Sequence, residues 1–212
     1  MRLIGMLDSP YVRRVAISLQ LLELAFTHES ISVFRQFDAF AAINPVVKAP
    51  TLVCDDGEVL MDSTLILDHA EALSAGRKTL VPADAGRRQH SLRLLGLALA
   101  ACEKCVQIVY ERSLRPEHKQ HAPWIDRVTG QMLAALDALE IELARRPLPV
   151  GADTIGQDGV TSAVVWRFIQ LSSVAPLVPP PRFPALLALS EGAETMAVFR
   201  AAPHGDGTYP VR

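Results

Sequence analysis

The chain has 212 residues, half of them hydrophobic, and its 21 basic and 23 acidic residues leave a net charge of −2. This length and composition suffice for two modest domains. The near-neutral charge disfavours nucleic-acid binding, and no run approaches the roughly 18 apolar residues of a membrane span. The apolar start of the chain is shorter than a signal peptide, and the three cysteines are an odd number. We therefore expect free thiols and a cytoplasmic location.

The first 75 residues alternate between strand and helix patterns. In chain order the patterns predict strand 2–6, helix 9–24, strand 26–32, helix 33–43, strands 51–54 and 58–61, and helix 63–73. Asp55-Asp56-Gly57 is a hairpin signal between the last two strands. A hairpin beside a strand–helix–strand unit predicts a mixed sheet with helices on its faces. On the first helix, Arg13 and Arg14 are expected to face the solvent.

After residue 75 the patterns become almost entirely helical. Glycine, proline and polar residues predict a linker over 76–84. The helical patterns that follow cover 87–112, 123–146, 158–175 and, as two short helices, 183–202. The sequence thus predicts an α/β domain over 1–75, the linker, and an all-α domain over 85–212.

Ser9-Pro10-Tyr11 lies between the first strand and the first helix. A serine followed by a proline at the first helical position is typical of a helix N-cap. The same serine follows the carboxyl end of a strand, where open α/β sheets bind ligands. There its hydroxyl could donate a hydrogen bond to an anion near the helix N-terminus.

Two further motifs lie around the predicted hairpin. Ala49-Pro50 enters a strand, and a cis bond there would turn its backbone polar groups toward an extended ligand; local base rates favour trans. Asp62-Ser63 is an ordinary cap for the next helix. Its carboxylate could also hold an ammonium while its hydroxyl holds a carboxylate, which suits the head group of an α-amino acid.

The order of these motifs resembles the glutathione S-transferase family over essentially the whole chain. The segment NPVVKAPTLVCDDGEVLMDS, residues 44–63, is its most specific part. The resemblance implies a thioredoxin-like N-terminal domain, an all-α C-terminal domain and a cis Ala49-Pro50 bond. It also implies roles in glutathione binding: backbone pairing of Ala49 with the cysteinyl part, Asp62 and Ser63 at the γ-glutamyl end, and Lys48 at the glycyl carboxylate.

By the same resemblance, Ser9 is the residue that activates the glutathione thiol, as in bacterial, serine-type members. The implied function is a homodimeric transferase that joins glutathione, as cosubstrate, to a small hydrophobic electrophile, with no metal. Tyr11, Tyr110 and Trp166 are candidates for the electrophile pocket, although core packing is the commoner role of such helical aromatics. The alternatives are a non-catalytic glutathione- or ligand-binding protein and a glutathione-dependent isomerase or dehalogenase.

Some residues depart from related patterns. Ser9 and Val12 occupy the positions of a Cys-x-x-Cys motif, which excludes dithiol redox chemistry at this turn. Cys102-x-x-Cys105 lies within a predicted helix with no second pair nearby, which favours core packing over zinc. Ile155 stands where the family usually has a serine or threonine cap three residues before an aspartate, here Asp158. We also expect Cys54 to be buried in a strand, and His118 and His121 to lie in a solvated loop.

Overall fold

The computed structural model describes residues 1–205, which divide into two compact units. The first unit comprises residues 1–81 together with the segment from residue 194 onward, and the second comprises residues 82–193. The sequence predicts that all of 85–212 belongs to the helical domain. Residues 206–212 of that assignment lie outside the described residues.

The segment after residue 194 groups with the first unit because it packs on the first helix, α1 (Pro10–Leu21). Arg13 of α1 donates to both carboxylate oxygens of Glu194 at 2.7 and 2.8 Å and to the Ala202 carbonyl at 2.8 Å. Its guanidinium also lies 5.6 Å from the centre of the Phe199 ring. The expectation that Arg13 faces solvent is therefore wrong: the side chain is 1% exposed, and its charge is paired in the interior.

The first unit is built on a mixed four-stranded sheet. Its other elements are β1 (Arg2–Ile4), β2 (Thr27–Glu29), α2 (Phe37–Ile43), β3 (Thr51–Val53), β4 (Val59–Met61), α3 (Ser63–Leu73) and the short α8 (Ala197–Ala201). The strand order is β2-β1-β3-β4. β1 runs parallel to β2 and antiparallel to β3, and β3 and β4 form the hairpin. The α/β thioredoxin-like fold expected from the sequence is confirmed.

Two elements of this unit are shorter than expected. β2 covers only three residues, and the helix expected over 33–43 forms only from Phe37. The hydroxyl of Ser32 accepts hydrogen bonds from the backbone N–H groups of Phe34 and Arg35, at 3.2 and 3.1 Å. The side chain of Gln36 in turn accepts from the Ser32 N–H at 3.0 Å. These local bonds satisfy the backbone in a turn and compete with the first turn of a helix.

The second unit is all-helical. Its helices are α4 (Ala85–Leu114), α5 (Ala122–Arg145), α6 (Gln157–Leu171) and α7 (Pro184–Glu194, whose last residue groups with the first unit), and its short 3₁₀ turns are Glu117–Lys119, Ala175–Leu177 and Pro180–Arg182. Most of α6 is buried, as expected for a central helix. Glu140 of α5 accepts from the first backbone N–H groups of α7, those of Ala185 and Leu186, at 2.8 and 2.9 Å. A carboxylate from a neighbouring helix thus provides the cap that α7 needs.

The start of α6 shows how the missing family cap is accommodated. Gly156 precedes the helix and makes no side-chain capping bond. Ile155 is buried instead, and a Cβ atom at Gly159 would lie 2.9 Å from its Cγ1 atom. The glycine one turn into α6 therefore lets an apolar side chain pack against the helix start. In residues 1–205 no helix has the length and apolar character that a membrane crossing requires.

Candidate functional site

The site begins where β1 ends. Gly5 follows β1 with a φ of 132°, a backbone conformation that favours glycine. A Cβ atom at this position would lie 2.7 Å from Val12 Cγ2 and 3.1 Å from Ala49 Cβ. Because Gly5 has no side chain, the first turn of α1 and the loop before β3 can both approach the end of β1.

His28 of β2 supports the same turn. Its Nε2 atom lies 2.6 Å from the Gly5 carbonyl oxygen, and because a carbonyl only accepts, Nε2 carries the proton. Burial lowers the pKa of His28, although the bond to Gly5 and the charge of Glu29 act in the opposite direction. His28 is therefore uncharged at neutral pH, and it supports the turn through its hydrogen bond to Gly5.

Ser9 caps α1 as the sequence indicated, with extended backbone angles and Pro10 at the first helical position. Its Oγ atom accepts from the Val12 N–H at 3.4 Å, which is a long hydrogen bond. Since the hydroxyl acts as an acceptor in this bond, its own proton is available for donation. The half-buried Tyr11 follows in the same turn.

The loop before β3 contains a cis Ala49-Pro50 bond, which confirms the expectation drawn from the resemblance. Buried side chains hold this loop. Asn44 Nδ2 donates to Thr51 Oγ1 at 2.8 Å, and the Thr51 hydroxyl donates to the Lys48 carbonyl at 2.8 Å. Asn44 Oδ1 also accepts from the Val46 N–H at 3.0 Å. The turn leading into the cis bond is thus tied to the first residue of β3.

Sheet register brings the three motifs to one edge. Thr51, the first residue of β3, pairs with Ile4 at the end of β1 and with Met61 at the end of β4. Because β3 runs antiparallel to both neighbours, Pro50 enters the sheet where β1 leaves toward Ser9 and β4 leaves toward Asp62. The structure therefore places the Ser9 turn, the cis-proline loop and the Asp62-Ser63 pair at the same edge.

Asp62 stands between β4 and α3 with a φ of 72°, which is unusual for a residue other than glycine. Its Oδ1 atom accepts from the Thr64 N–H at 2.9 Å and so caps α3. Its Oδ2 atom lies 3.7 Å from Lys48 Nζ, and both side chains are about half exposed. An exposed ion pair of this kind contributes about 0.2–1 kcal/mol, so either partner can exchange it for a ligand group at low cost.

Ser63, in contrast, is only 3% exposed. Its Oγ atom accepts a hydrogen bond from Arg14 Nη1 at 3.1 Å, and the same nitrogen lies 3.3 Å from Thr64 Oγ1. The expectation that Arg14 faces solvent is wrong, because the side chain turns inward from α1 and is 2% exposed. The start of α3 and the first turns of α1 are therefore joined by a buried guanidinium.

The sequence analysis missed four residues that hold this site: Gly5, Arg14, His28 and Thr51. Asn44 was quoted within the family-like segment, but without a role. A glycine inside the predicted strand 2–6 was the available signal for Gly5, because an isolated glycine in a strand pattern often marks a close approach of backbone segments. Nothing in helical periodicity distinguishes a buried arginine from an exposed one, so Arg14 could not be recognised from its spacing.

The two other aromatic candidates belong to the helical unit. Trp166 is 2% exposed, and its ring lies 5.7 Å from that of Phe183, centre to centre. It therefore packs in the core of this unit, the commoner role of helical aromatics, and a role at an electrophile pocket stays a prediction. Tyr110 lies on α4 with much of its side chain exposed.

The cysteines offer no activated thiol. Cys102 and Cys105 are both fully buried in the helical unit, as core packing predicts. Burial raises the pKa of Cys105 to about 11. Cys54 follows β3, half-buried rather than buried, with its sulfur 3.8 Å from His69 Nε2. Burial and then the charges of the adjacent carboxylates raise the pKa of Cys54, which disfavours its thiolate. Within residues 1–205 no cluster of three or more potential metal ligands occurs.

The loop between α4 and α5 contains His118 and His121. His118 is exposed within a 3₁₀ turn, and His121 precedes α5 with its backbone N–H donating to Glu111 Oε1 at 3.0 Å. Both imidazoles therefore lie at the surface of the helical unit, as expected for a solvated loop.

Comparison with known proteins identifies the unit that carries the site. Residues 3–78 match the family model described as glutathione S-transferase, N-terminal domain. This part of the chain is similar to the N-terminal domain of the glutathione S-transferases. The uncharacterized GST-like protein YibF of Escherichia coli (strain K12) is 28% identical over 178 residues, which cover 83% of this chain and 85% of that protein.

Solved glutathione transferases share the whole fold. A glutathione S-transferase from Methylobacterium radiotolerans, solved in complex with glutathione sulfonate, is 26% identical with a TM-score of 0.85, covering 95% of this chain and 93% of its own. A family member from Pseudomonas fluorescens Pf-5, solved with bound glutathione, is 27% identical with a TM-score of 0.77, covering 95% and 97%. The resemblance inferred from the sequence motifs is confirmed.

Proposed function

We propose that the protein is a serine-type glutathione transferase, in which Ser9 stabilises the glutathione thiolate for attack on a small hydrophobic electrophile. One observation carries this proposal: the Ser9 turn, the cis Ala49-Pro50 bond and Asp62-Ser63 meet at a single sheet edge. This edge lies within the segment that matches the family's N-terminal domain. Relatives solved with glutathione or glutathione sulfonate support glutathione as the cosubstrate.

Each charged end of glutathione has a matching group at this edge. The carboxylate of Asp62 would hold the γ-glutamyl ammonium, and the Ser63 hydroxyl would donate to the neighbouring carboxylate. Lys48 would pair with the glycyl carboxylate after leaving Asp62, which is a small loss for an exposed pair. The backbone of Ala49, beside the cis bond, would pair with the cysteinyl residue, as the family resemblance implies.

The chemical step needs a thiolate. An unperturbed thiol has a pKa near 8.5, and lowering it by about 2 units requires roughly 2.7 kcal/mol of preferential stabilisation of the thiolate. A hydrogen bond from the Ser9 hydroxyl to the charged sulfur supplies about 1.5–3 kcal/mol, and the N-terminus of α1 adds about 0.3–1 kcal/mol. The thiol proton passes to solvent, and the sulfur forms a bond to the electrophilic carbon. In substitution a leaving group departs with its electron pair; in addition the adduct takes up a proton from water.

Tyr11, beside Ser9, is the residue of this unit that we propose to contact the electrophile. Tyr110 is retained as a second candidate because its side chain is accessible on α4. The protein's own thiols are unsuited to the nucleophilic role, since the pKa values of Cys54 and Cys105 are raised. The nucleophile is therefore supplied by the bound tripeptide.

The test combines binding with turnover. The purified protein should be retained on immobilised glutathione, and it should form a conjugate with a generic aryl halide only when glutathione is present. The ultraviolet absorbance of the thiolate, titrated against pH, should show a pKa of bound glutathione below 8.5 by about 2 units. Retention without conjugation of any of several electrophile classes would indicate a binding protein. Release of halide or an isomerised product without net consumption of glutathione would indicate a dehalogenase or an isomerase.

We also propose a homodimer in the cytoplasm. Exposed apolar side chains on β4 and α3, among them Leu65 at 64% exposure, support a covered surface in solution. Three free cysteines suit a reducing compartment. Light scattering should give twice the chain mass of 23.1 kDa, and Leu65→Glu should shift the protein toward the monomer while Thr64→Glu, at an exposed polar neighbour, serves as the charge control. A monomeric wild type at micromolar concentration would contradict this proposal.

A further inference from the structure

Arg14 contacts Ser63, the serine that we propose to bind the γ-glutamyl carboxylate. Its Nη1 atom is 3.1 Å from Ser63 Oγ and 3.3 Å from Thr64 Oγ1. A guanidinium has hydrogen-bond donors only, so the Ser63 oxygen must accept in this contact. The direction of the hydrogen bond is therefore determined by the chemistry of Arg14.

The consequence concerns the proton of Ser63. A hydroxyl has one proton and two lone pairs, and one lone pair of Ser63 is occupied by Arg14. Within the part of the chain that the structure describes, the Ser63 hydroxyl donates no hydrogen bond to a protein acceptor. Its proton is thus free to point outward, toward a bound acceptor at the N-terminus of α3.

We propose that Arg14 is a positioning residue that keeps Ser63 a hydrogen-bond donor, and that it thereby selects ligands carrying the α-carboxylate of the γ-glutamyl group. This inference rests on the proposed function, because it concerns how the same site distinguishes its ligands. Without Arg14, no donor occupies the inner lone pair of Ser63, so the hydroxyl proton could turn into the space left by the guanidinium and leave a lone pair toward the ligand. A lone pair repels a carboxylate, whereas it tolerates a ligand that lacks one.

The adjacent Arg13 provides a matched control. It lies on the same helix and is equally buried, but its guanidinium donates to Glu194, Ala202 and Phe199 rather than to Ser63. Replacing Arg13 should disturb the packing and stability of α1 without changing the polarity of the Ser63 hydroxyl. The two substitutions therefore separate a structural effect from the directional one.

The experiment compares two ligands by calorimetry: glutathione, and γ-aminobutyryl-cysteinyl-glycine, which lacks only the α-carboxylate. The ratio of their affinities measures selection for the carboxylate within each folded variant. Arg14→Met should lower this ratio about tenfold, the size of one hydrogen bond to a charged group, with affinity for the analogue nearly unchanged. Arg13→Met should leave the ratio at its wild-type value. Arg14→Lys, which keeps a donor, should restore most of the ratio.

Ser63→Ala completes a double-mutant cycle, and on that background Arg14→Met should not lower the ratio further. Should Arg14→Met not fold, Arg14→Gln takes its place, since an amide can accept as well as donate and no longer compels Ser63 to accept. An unchanged ratio in a folded Arg14 variant, or an equal loss of both ligands, would overturn the inference. A wild type that binds neither ligand would instead overturn the proposed function.

Discussion

The two units differ in what their buried polar and reactive side chains do. In the first unit, buried polar side chains such as Arg14, Asn44 and Thr51 hold backbone turns around one sheet edge. In the helical unit, residues that suggest chemistry by type, Cys102, Cys105 and Trp166, are packed into the core. Residue type alone therefore does not indicate a site. Polar groups arranged around exposed backbone and helix N-termini are the better indicator.

The largest test of this contrast replaces a glycine in each unit. Gly5→Ala should destabilise the first unit by about 3 kcal/mol, because it adds a Cβ atom 2.7 Å from Val12 at a positive φ. Gly96→Ala in α4 meets no atom within 4 Å and should stabilise the protein by about 0.5–1 kcal/mol through helix propensity. Chemical denaturation measures both. Equal effects at the two positions would show that the turn after β1 is not tightly packed.

The next test removes one candidate nucleophile-activating group and one thiol. Ser9→Ala should reduce conjugation near neutral pH about tenfold or more, since each 1.36 kcal/mol of lost stabilisation is tenfold in rate. Glutathione affinity should change little, and the pKa of the bound thiol should rise. Cys105→Ala in the helical core is the control, and a folded variant should retain conjugation. If a folded Ser9→Ala enzyme keeps full activity and an unchanged thiol pKa, Ser9 is only a helix cap.

A third comparison uses two aspartates with the same structural role. Asp62 caps α3 and Asp84 caps α4, each accepting a backbone N–H at 2.9 Å. Replacing either by alanine should cost about 1 kcal/mol of stability. Only Asp62→Ala should abolish retention on immobilised glutathione, and Asp62→Asn, which keeps the cap, should weaken binding about tenfold by removing the charge. Undiminished retention of the folded Asp62 variants would remove this residue from the proposed site.

The smallest expected effect is the pH dependence contributed by His28. Burial lowers its pKa below the usual value of 6.5, so the folded state resists protonation. The contribution of His28 to stability is therefore complete above pH 6.5 and is lost as the pH falls from there through the lowered folded-state pKa. His28→Gln should flatten the fall in the free energy of unfolding in that acidic range, whereas His118→Gln, at an exposed position of the helical unit, should not. Identical pH profiles for wild type and His28→Gln would contradict this account.

Much of this molecule could be predicted because its signals are local. The Ser9-Pro10 cap, the hairpin at Asp55-Asp56-Gly57 and the long helices all depend on residues within a few positions of one another. The family-like segment 44–63 also led to the cis bond. The expected helix over 33–43 failed at its start for an equally local reason, since the Ser32 hydroxyl forms a competing turn. The sequence alone does not show whether the residues after Ser32 form this turn or the first turn of a helix.

The sequence by itself determined the order of elements, the two-part architecture and the candidate residues Ser9, Asp62 and Ser63. Only the tertiary structure decided that Arg13 and Arg14 point inward and that residues 194–205 join the first unit. The physical reason is that a guanidinium can be buried only when partners satisfy its donors. The partner Glu194 lies 181 residues along the chain from Arg13, and Ser63 lies 49 from Arg14. Helical periodicity extends over a few turns, so it carries no information about partners at that distance.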